Sequence, residues 1–130
     1  MARKPRPVLH HGILSVYAVI GGPRTWRSLK LAVDTGATYT MVPPDLLIDI
    51  GSDPTTPIRR LELSTANGLV IAPVLRIQVM KCLGLILKDV EVVAHHLPPE
   101  SPVEGLLGLN VLVHFTPFQV FHQALRPFSV

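Results

Sequence analysis

Proline sets the first limit on what this chain can fold into. Thirteen of its 130 residues are proline, at positions 5, 7, 23, 43, 44, 54, 57, 73, 98, 99, 102, 117 and 127, roughly twice ordinary usage. A proline ring removes a backbone donor and collides with the preceding helical turn. The spacing therefore leaves little room for long helices and favours short strands joined by turns. The length predicts one domain with no room for a second, and it suffices to bury a sizeable core. With 48% apolar residues, general disorder is excluded. Only 16% of residues are charged, against about 25% in an average domain. Much of the surface must be neutral or covered, and self-association is one way to cover it.

The formal net charge is +3, and Arg3, Lys4 and Arg6 account for all of it. Three charges on a terminal stub attract nucleic acid weakly, so a solvated, flexible basic arm over 1–11 is the simpler expectation, with no nucleic-acid partner. Cys82 is the only cysteine. That excludes an intrachain disulfide and a multi-cysteine zinc site, and it fits a reducing, cytoplasmic setting. The start of the chain, basic and then apolar, has the outline of a signal peptide. His10, His11 and Ser15 interrupt it, however, and no small-residue cleavage pattern follows. The longest uncharged run, 105–125, carries Asn110, His114, Pro117 and Gln119 and makes a poor spanning helix. The chain reads as soluble, with no membrane partner.

Alternation and punctuation place the elements. Residues 13–20 are β-rich and end at the turn Gly21-Gly22-Pro23-Arg24. Over 26–33, Leu29, Leu31 and Val33 share one face, which predicts a half-buried strand hairpinned to the first. A short strand is expected over 39–42. Pro44 near the start and Gly51 past the end predict a short helix over 44–50. Strands are expected over 58–64 and 69–79, joined around Ala66-Asn67-Gly68, because Asn-Gly between β-rich runs is a strong hairpin signal. Two more short strands are expected over 83–87 and 89–94, and one or two helical turns over 109–115. A closing strand or pair is expected over 118–121 and 125–130. The expected fold is a mainly β domain over 12–130 with one or two short helices and one prominent hairpin.

Chemistry concentrates where the second strand ends, in Leu31-Ala32-Val33-Asp34-Thr35-Gly36-Ala37-Thr38. A carboxylate at the end of an apolar strand is placed for partial burial. The Thr35 hydroxyl can fix a tight loop through backbone hydrogen bonds. Gly36, lacking a Cβ, lets its backbone approach a substrate or a second chain, and Ala37 keeps the packing beneath the carboxylate tight. Asp-Thr-Gly alone is a weak motif. Its context narrows it: an apolar lead-in, the Asn67-Gly68 hairpin, and Leu106-Leu107-Gly108, with Gly108 lying 72 residues beyond Gly36.

In these pieces and their order, LAVDTGAT at 31–38, STANG at 64–68 and GLLGLNVL at 105–112, the chain resembles the retropepsin-like aspartic proteases, particularly single-domain bacterial and archaeal members. The resemblance spans roughly 13–130. It implies a closed β-barrel-like fold with a flap hairpin, and a homodimeric aspartic endopeptidase acting on a peptide or protein without cofactor or metal. By that resemblance Asp34 is the catalytic residue, one from each subunit. Thr35 locks the two active-site loops across the dimer axis, and Gly36 faces substrate backbone. Leu106, Leu107 and Gly108 pack under the active-site loop. Thr65, Ala66, Asn67 and Gly68 form the flap, and 126–130 contribute to the dimer interface. The charge physics agrees. A lone aspartate near its reference pKa of about 3.9 is ionised at neutral pH and cannot serve as an acid, whereas two close carboxylates share a proton. With one Asp-Thr-Gly in the chain, a monomer holds half a site. Retroviral members carry acidic residues where Thr38 and Tyr39 stand, and an arginine where Leu109 stands, so an ion pair there is absent.

A noncatalytic dimeric peptide-binding domain of the same fold is the alternative, and nucleic-acid binding through the arm a weaker one. Asp45, Asp49, Asp53, Glu62, Asp89, Glu91, Glu100 and Glu104 read as solvated charges. Adjacent residues on a strand point to opposite faces, so neither His10-His11 nor His95-His96 makes a ready chelate. Cys82 reads as a small core residue. Phe115, Phe118, Phe121 and Phe128 read as core or dimer packing.

Overall fold

The computed structural model describes residues 8–10, 12–65 and 67–115. In chain order the elements are β1 (Val8–His10), β2 (Ile13–Gly21), β3 (Trp26–Val33), β4 (Thr40–Val42), α1 (Pro44–Ile50), β5 (Arg59–Thr65), β6 (Gly68–Cys82), β7 (Leu85–Ala94), β8 (Gly105–Leu107) and α2 (Leu109–Leu112). The strands form one sheet in the order β1-β2-β3-β8-β4-β7-β6-β5. A further antiparallel pairing, Ala18↔Cys82 to Gly21↔Val79, joins β2 to β6 and closes the middle six strands into a ring. The mainly β, closed fold expected from the sequence is the fold observed.

Most pairings in the ring are antiparallel, and two of them, β2–β3 and β6–β7, are hairpins between consecutive strands. β8 is different. It lies parallel to β3, with Leu31↔Gly105 and Val33↔Leu107 in register, and meets β4 antiparallel at Met41↔Leu106. β4 in turn runs parallel to β7. This insertion carries residues distant in sequence to the end of β3.

Apolar alternation turns into burial. Leu29 and Leu31 of β3, Ile20 of β2, Ile77 and Met80 of β6 and Leu107 of β8 are essentially inaccessible. Burying such a side chain contributes about 1.5–3 kcal/mol each. α1 lies where the proline and glycine signals put it and buries Leu47 and Ile50. Gly51, at φ 97°, ends it as left-handed backbone, with the Gly51 N–H donating to Ile48 O (3.0 Å) and the Ser52 N–H to Leu47 O (2.8 Å). Val111 and Leu112 of α2, with Phe115, join the same core. Ala72, Val74 and Val93 form a second, smaller cluster, against which Tyr39, Leu61 and Leu63 pack. Cys82 is buried in the main core, and that burial pushes its thiol up to about 12, so it stays protonated at neutral pH.

Several expectations change. The arm expected over 1–11 is not free throughout, because Val8–His10 is a strand paired with β2 from Val8↔Ser15 to His10↔Ile13. The strand expected over 69–79 extends to Cys82 and turns through Leu83 (φ 51°) and Gly84 (φ 84°). Two consecutive left-handed residues make the tight loop a twisted hairpin needs, and leucine at the first of them hides the turn from a sequence reading. The strands expected over 83–87 and 89–94 are one strand, β7. Asp89 (φ 55°) interrupts the pairing opposite Gln78, yet the register is the same on both sides, Ile77↔Val90 and Val79↔Lys88. Glu91 is not a free solvated charge, since Arg59 and Arg76 both pair with it. The expected closing strands over 118–121 and 125–130, the interface contribution of 126–130, and Phe118, Phe121 and Phe128 lie outside the described residues, as do residues 1–7.

No helix among the described residues is long and apolar enough to cross a membrane. Among the same residues, no group of three or more His, Cys, Asp or Glu side chains could hold a metal ion.

Candidate active site

β3 delivers Asp34 to the end of the ring, where the chain leaves the sheet. The Asp34 N–H donates to Leu107 O (3.0 Å), so the new strand β8 fixes the aspartate's backbone from below. The Ala37 N–H donates to Asp34 O (3.2 Å), closing a tight turn. The Gly36 N–H donates to Asp34 Oδ1 (2.9 Å) and orients the carboxylate. A Cβ at Gly36 would stand 3.2 Å from that same oxygen, which accounts for the small residue. Asp34 and Ala37 are half-buried, whereas Thr35 and Gly36 are exposed. The Thr35 hydroxyl has no hydrogen-bond partner among the described residues. Within the chain the loop is fixed instead by the Gly36 and Ala37 amides, which donate to Asp34.

Beneath the loop, Leu106, Leu107 and Gly108 divide the work. Leu106 reaches the cavity beside Asp34, Leu107 fills the core, and Gly108 allows contact with the backbone of Tyr39 and Thr40. Two polar residues complete this layer, and the sequence reading assigned neither a role. Thr40, fully buried, accepts the Gly108 N–H at Oγ1 (3.0 Å) and donates to Asn110 Oδ1 (3.0 Å). Asn110 Oδ1 also accepts the Thr40 N–H (2.9 Å), and Asn110 Nδ2 donates to Glu91 O (2.7 Å). The available signal was a polar residue inside each of two apolar runs, TMV and LNVL. Asn110→Leu is expected to lower stability by about 1–3 kcal/mol, because it leaves the Thr40 amide and hydroxyl without their acceptor. Urea denaturation measures this, and an unchanged midpoint would refute the assignment.

Above Asp34 lies the β5–β6 hairpin. Thr65↔Gly68 is its last pair. Thr65 Oγ1 donates to Gly68 O (2.7 Å) and accepts the Asn67 N–H (3.2 Å), so Thr65 knots the tip. Gly68, at φ 112°, supplies the left-handed turn residue. A cavity of about 460 Å³ runs between hairpin and floor, and Asp34, Gly36 and Ala37 share it with Leu63, Ser64 and Thr65. Of the residues expected in the flap, Thr65 faces this cavity. Asn67 and Gly68 are exposed and do not line it, and Ala66 lies outside the described residues. Met41, Leu61, Val93 and Leu106 make the rest of the lining largely apolar, and Glu62 lies on its exposed rim.

A closed ring of short strands, a strand inserted in parallel beside the one ending in Asp-Thr-Gly, and a hairpin roofing that aspartate define a retropepsin-like domain. A sequence model of the family described as gag-polyprotein putative aspartyl protease matches residues 26–114, and the chain belongs to that family. Among solved structures it is similar to a retropepsin-like aspartic protease from Rickettsia conorii, with a TM-score of 0.65 and 20% sequence identity. That similarity covers 86% of this chain and 79% of the other, and at such identity it is a likeness of fold. No curated protein matches the sequence.

Proposed function

We propose that this chain is one half of an aspartic endopeptidase, in which two copies associate and their Asp34 carboxylates hydrolyse peptide bonds through a shared water. The observation that carries this reading is the single cavity in which Asp34, held by the Gly36 amide, faces Ser64 and Thr65 of the roofing hairpin. The exposure of Thr35 and Gly36 beside the half-buried aspartate leaves the loop open to a second copy. An extended peptide lying between floor and hairpin would bond through its main chain, as an added strand does.

In such a pair the two carboxyl groups hold one proton between them, since two adjacent negative charges repel. The ionised carboxylate takes a proton from water as the oxygen attacks the peptide carbonyl carbon, while the protonated carboxyl donates to the carbonyl oxygen. The tetrahedral intermediate then collapses. The C–N bond breaks, the amine nitrogen receives a proton from one carboxyl, and the other accepts a hydroxyl proton, which restores the single shared proton. A buried, unpaired Cys82 supports a reducing, cytoplasmic setting.

Dilution tests the half-site. Well below the dimer dissociation constant, specific activity against a peptide library at mildly acidic pH is expected to fall about tenfold per tenfold dilution. Sedimentation at the same concentrations should show monomers appearing in step. Constant specific activity from a sedimenting monomer would overturn the reading.

A further inference from the structure

One wall of the Asp34 cavity is not held by packing alone. Tyr39 lines that cavity and, like Leu61 and Leu63, packs against Ala72, Val74 and Val93. It also borders a second cavity of about 330 Å³, whose other walls include β7, Asn110 and His114. Tyr39 therefore borders open space in two cavities. What restrains it is Arg59. Arg59 Nη2 donates to Tyr39 Oη (2.8 Å), and its guanidinium carbon lies 5.4 Å from the ring centroid. The same nitrogen donates to Glu91 Oε1 (2.5 Å), while Arg76 holds Glu91 Oε2 at 3.3 Å. Arg59 opens β5, at the foot of the roofing hairpin and opposite Val74. Tyr39, Arg59 and Glu91 thus join the cavity wall, the hairpin foot and β7. The Arg59 hydrogen bond holds the Glu91 carboxyl below the usual carboxylate range, so the pair remains charged in mild acid.

We propose that Arg59, clamped by Glu91, is a positioning residue that sets Tyr39 as a fixed wall of the peptide cleft and ties the hairpin foot to the floor. Released from Arg59, the ring can swing into the second cavity and the cleft holds a peptide less well, while the chemistry at Asp34 is untouched. This proposal rests on the reading of the Asp34 cavity as a peptide cleft. Arg59 is solvent-exposed, and exposed ion pairs add little to global stability, so the effect falls on binding.

The test compares wild type with Arg59→Met, Arg59→Lys, Tyr39→Phe and the double variant Tyr39→Phe/Arg59→Met. It uses steady-state cleavage of a peptide substrate and calorimetric titration of a statine-containing peptide inhibitor. Arg59→Met is expected to raise both KM and the inhibitor Kd by about tenfold, with kcat within about threefold. Arg59→Lys should recover part of the loss, because a lysine keeps the charge but lacks the planar guanidinium that lies against the Tyr39 ring. The double variant should be no worse than Arg59→Met, since both changes break the same contact. A lowered kcat with unchanged KM and Kd, or additive effects, would overturn the proposal. If wild type binds the inhibitor but cleaves nothing, the hydrolytic reading fails and the inhibitor Kd still decides the role of Arg59. If it neither binds nor cleaves, both fall.

Discussion

Asp34→Asn is expected to reduce peptide hydrolysis by about a thousandfold or more, the scale on which a positioned acid–base pair contributes. Stability should hardly change. Asparagine has the same shape, and its carbonyl oxygen can still accept the Gly36 N–H that Asp34 Oδ1 accepts at 2.9 Å. The site is half-buried, and the shape-conserving swap should move folding free energy by no more than about 0.5 kcal/mol. A dimer adds a sharper readout. If both carboxylates are required, random exchange of wild type with an equal amount of Asp34→Asn should cut activity per total protein to about a quarter of the wild-type value, and the activity of the wild-type share to about half, because only wild-type pairs work. The measurements are peptide cleavage, sedimentation and thermal unfolding on the same samples. Activity within tenfold of wild type would place the hydrolytic group elsewhere. Inhibitor binding retained by both proteins, with cleavage by neither, would make the chain a peptide-binding domain.

The two glycines of the inserted strand region should tolerate substitution worst. A Cβ at Gly105 would stand 2.1 Å from Met41 O, and one at Gly108 would stand 2.4 Å from the carbonyl carbon of Tyr39. In each case the obstacle is backbone of the neighbouring strand region, which cannot rotate aside as a side chain can. Gly108 has φ −94°, so its conformation would admit alanine and the penalty is collision alone. Gly105→Ala and Gly108→Ala are each expected to destabilise by about 1–3 kcal/mol or more, a large part of an ordinary domain's 5–15 kcal/mol or so. Gly108→Ala should also stretch the 3.0 Å bond from its N–H to Thr40 Oγ1, moving the floor beneath Asp34. Urea unfolding reads the stability, and cleavage at a temperature where the variant remains folded reads the displacement. A shift under about 0.5 kcal/mol would show that β4 and β8 can part easily.

Local patterns were legible wherever neighbours in sequence decide the outcome. The β2–β3 hairpin, the helix between Pro44 and Gly51, and the turn near Asn67 all follow from alternation and punctuation within about ten residues. Even there the turn differs in detail, since Gly68 already pairs with Thr65 and Asn67-Gly68 is not the loop itself. The two-residue loop through Leu83 was missed because a left-handed leucine gives no composition signal. β1 was missed because three residues are too few for a period, and its pairing with β2 depends on an edge that local sequence does not announce.

What the sequence by itself determined is the set of parts: short strands imposed by proline, one Asp-Thr-Gly at the end of an apolar strand, and one cysteine with no partner. Those depend on covalent constraints and residue types, which act locally. Only the tertiary structure decided their meeting. β8 slides between β3 and β4, parallel to β3 and antiparallel to β4, so that Leu107 O receives the Asp34 amide. Thr40, Asn110 and Glu91 come together from three elements, and Arg59 reaches across to Tyr39. Each of these contacts joins residues at least 19 positions apart. Such contacts exist because the closed ring buries the core, which no short stretch of sequence can specify.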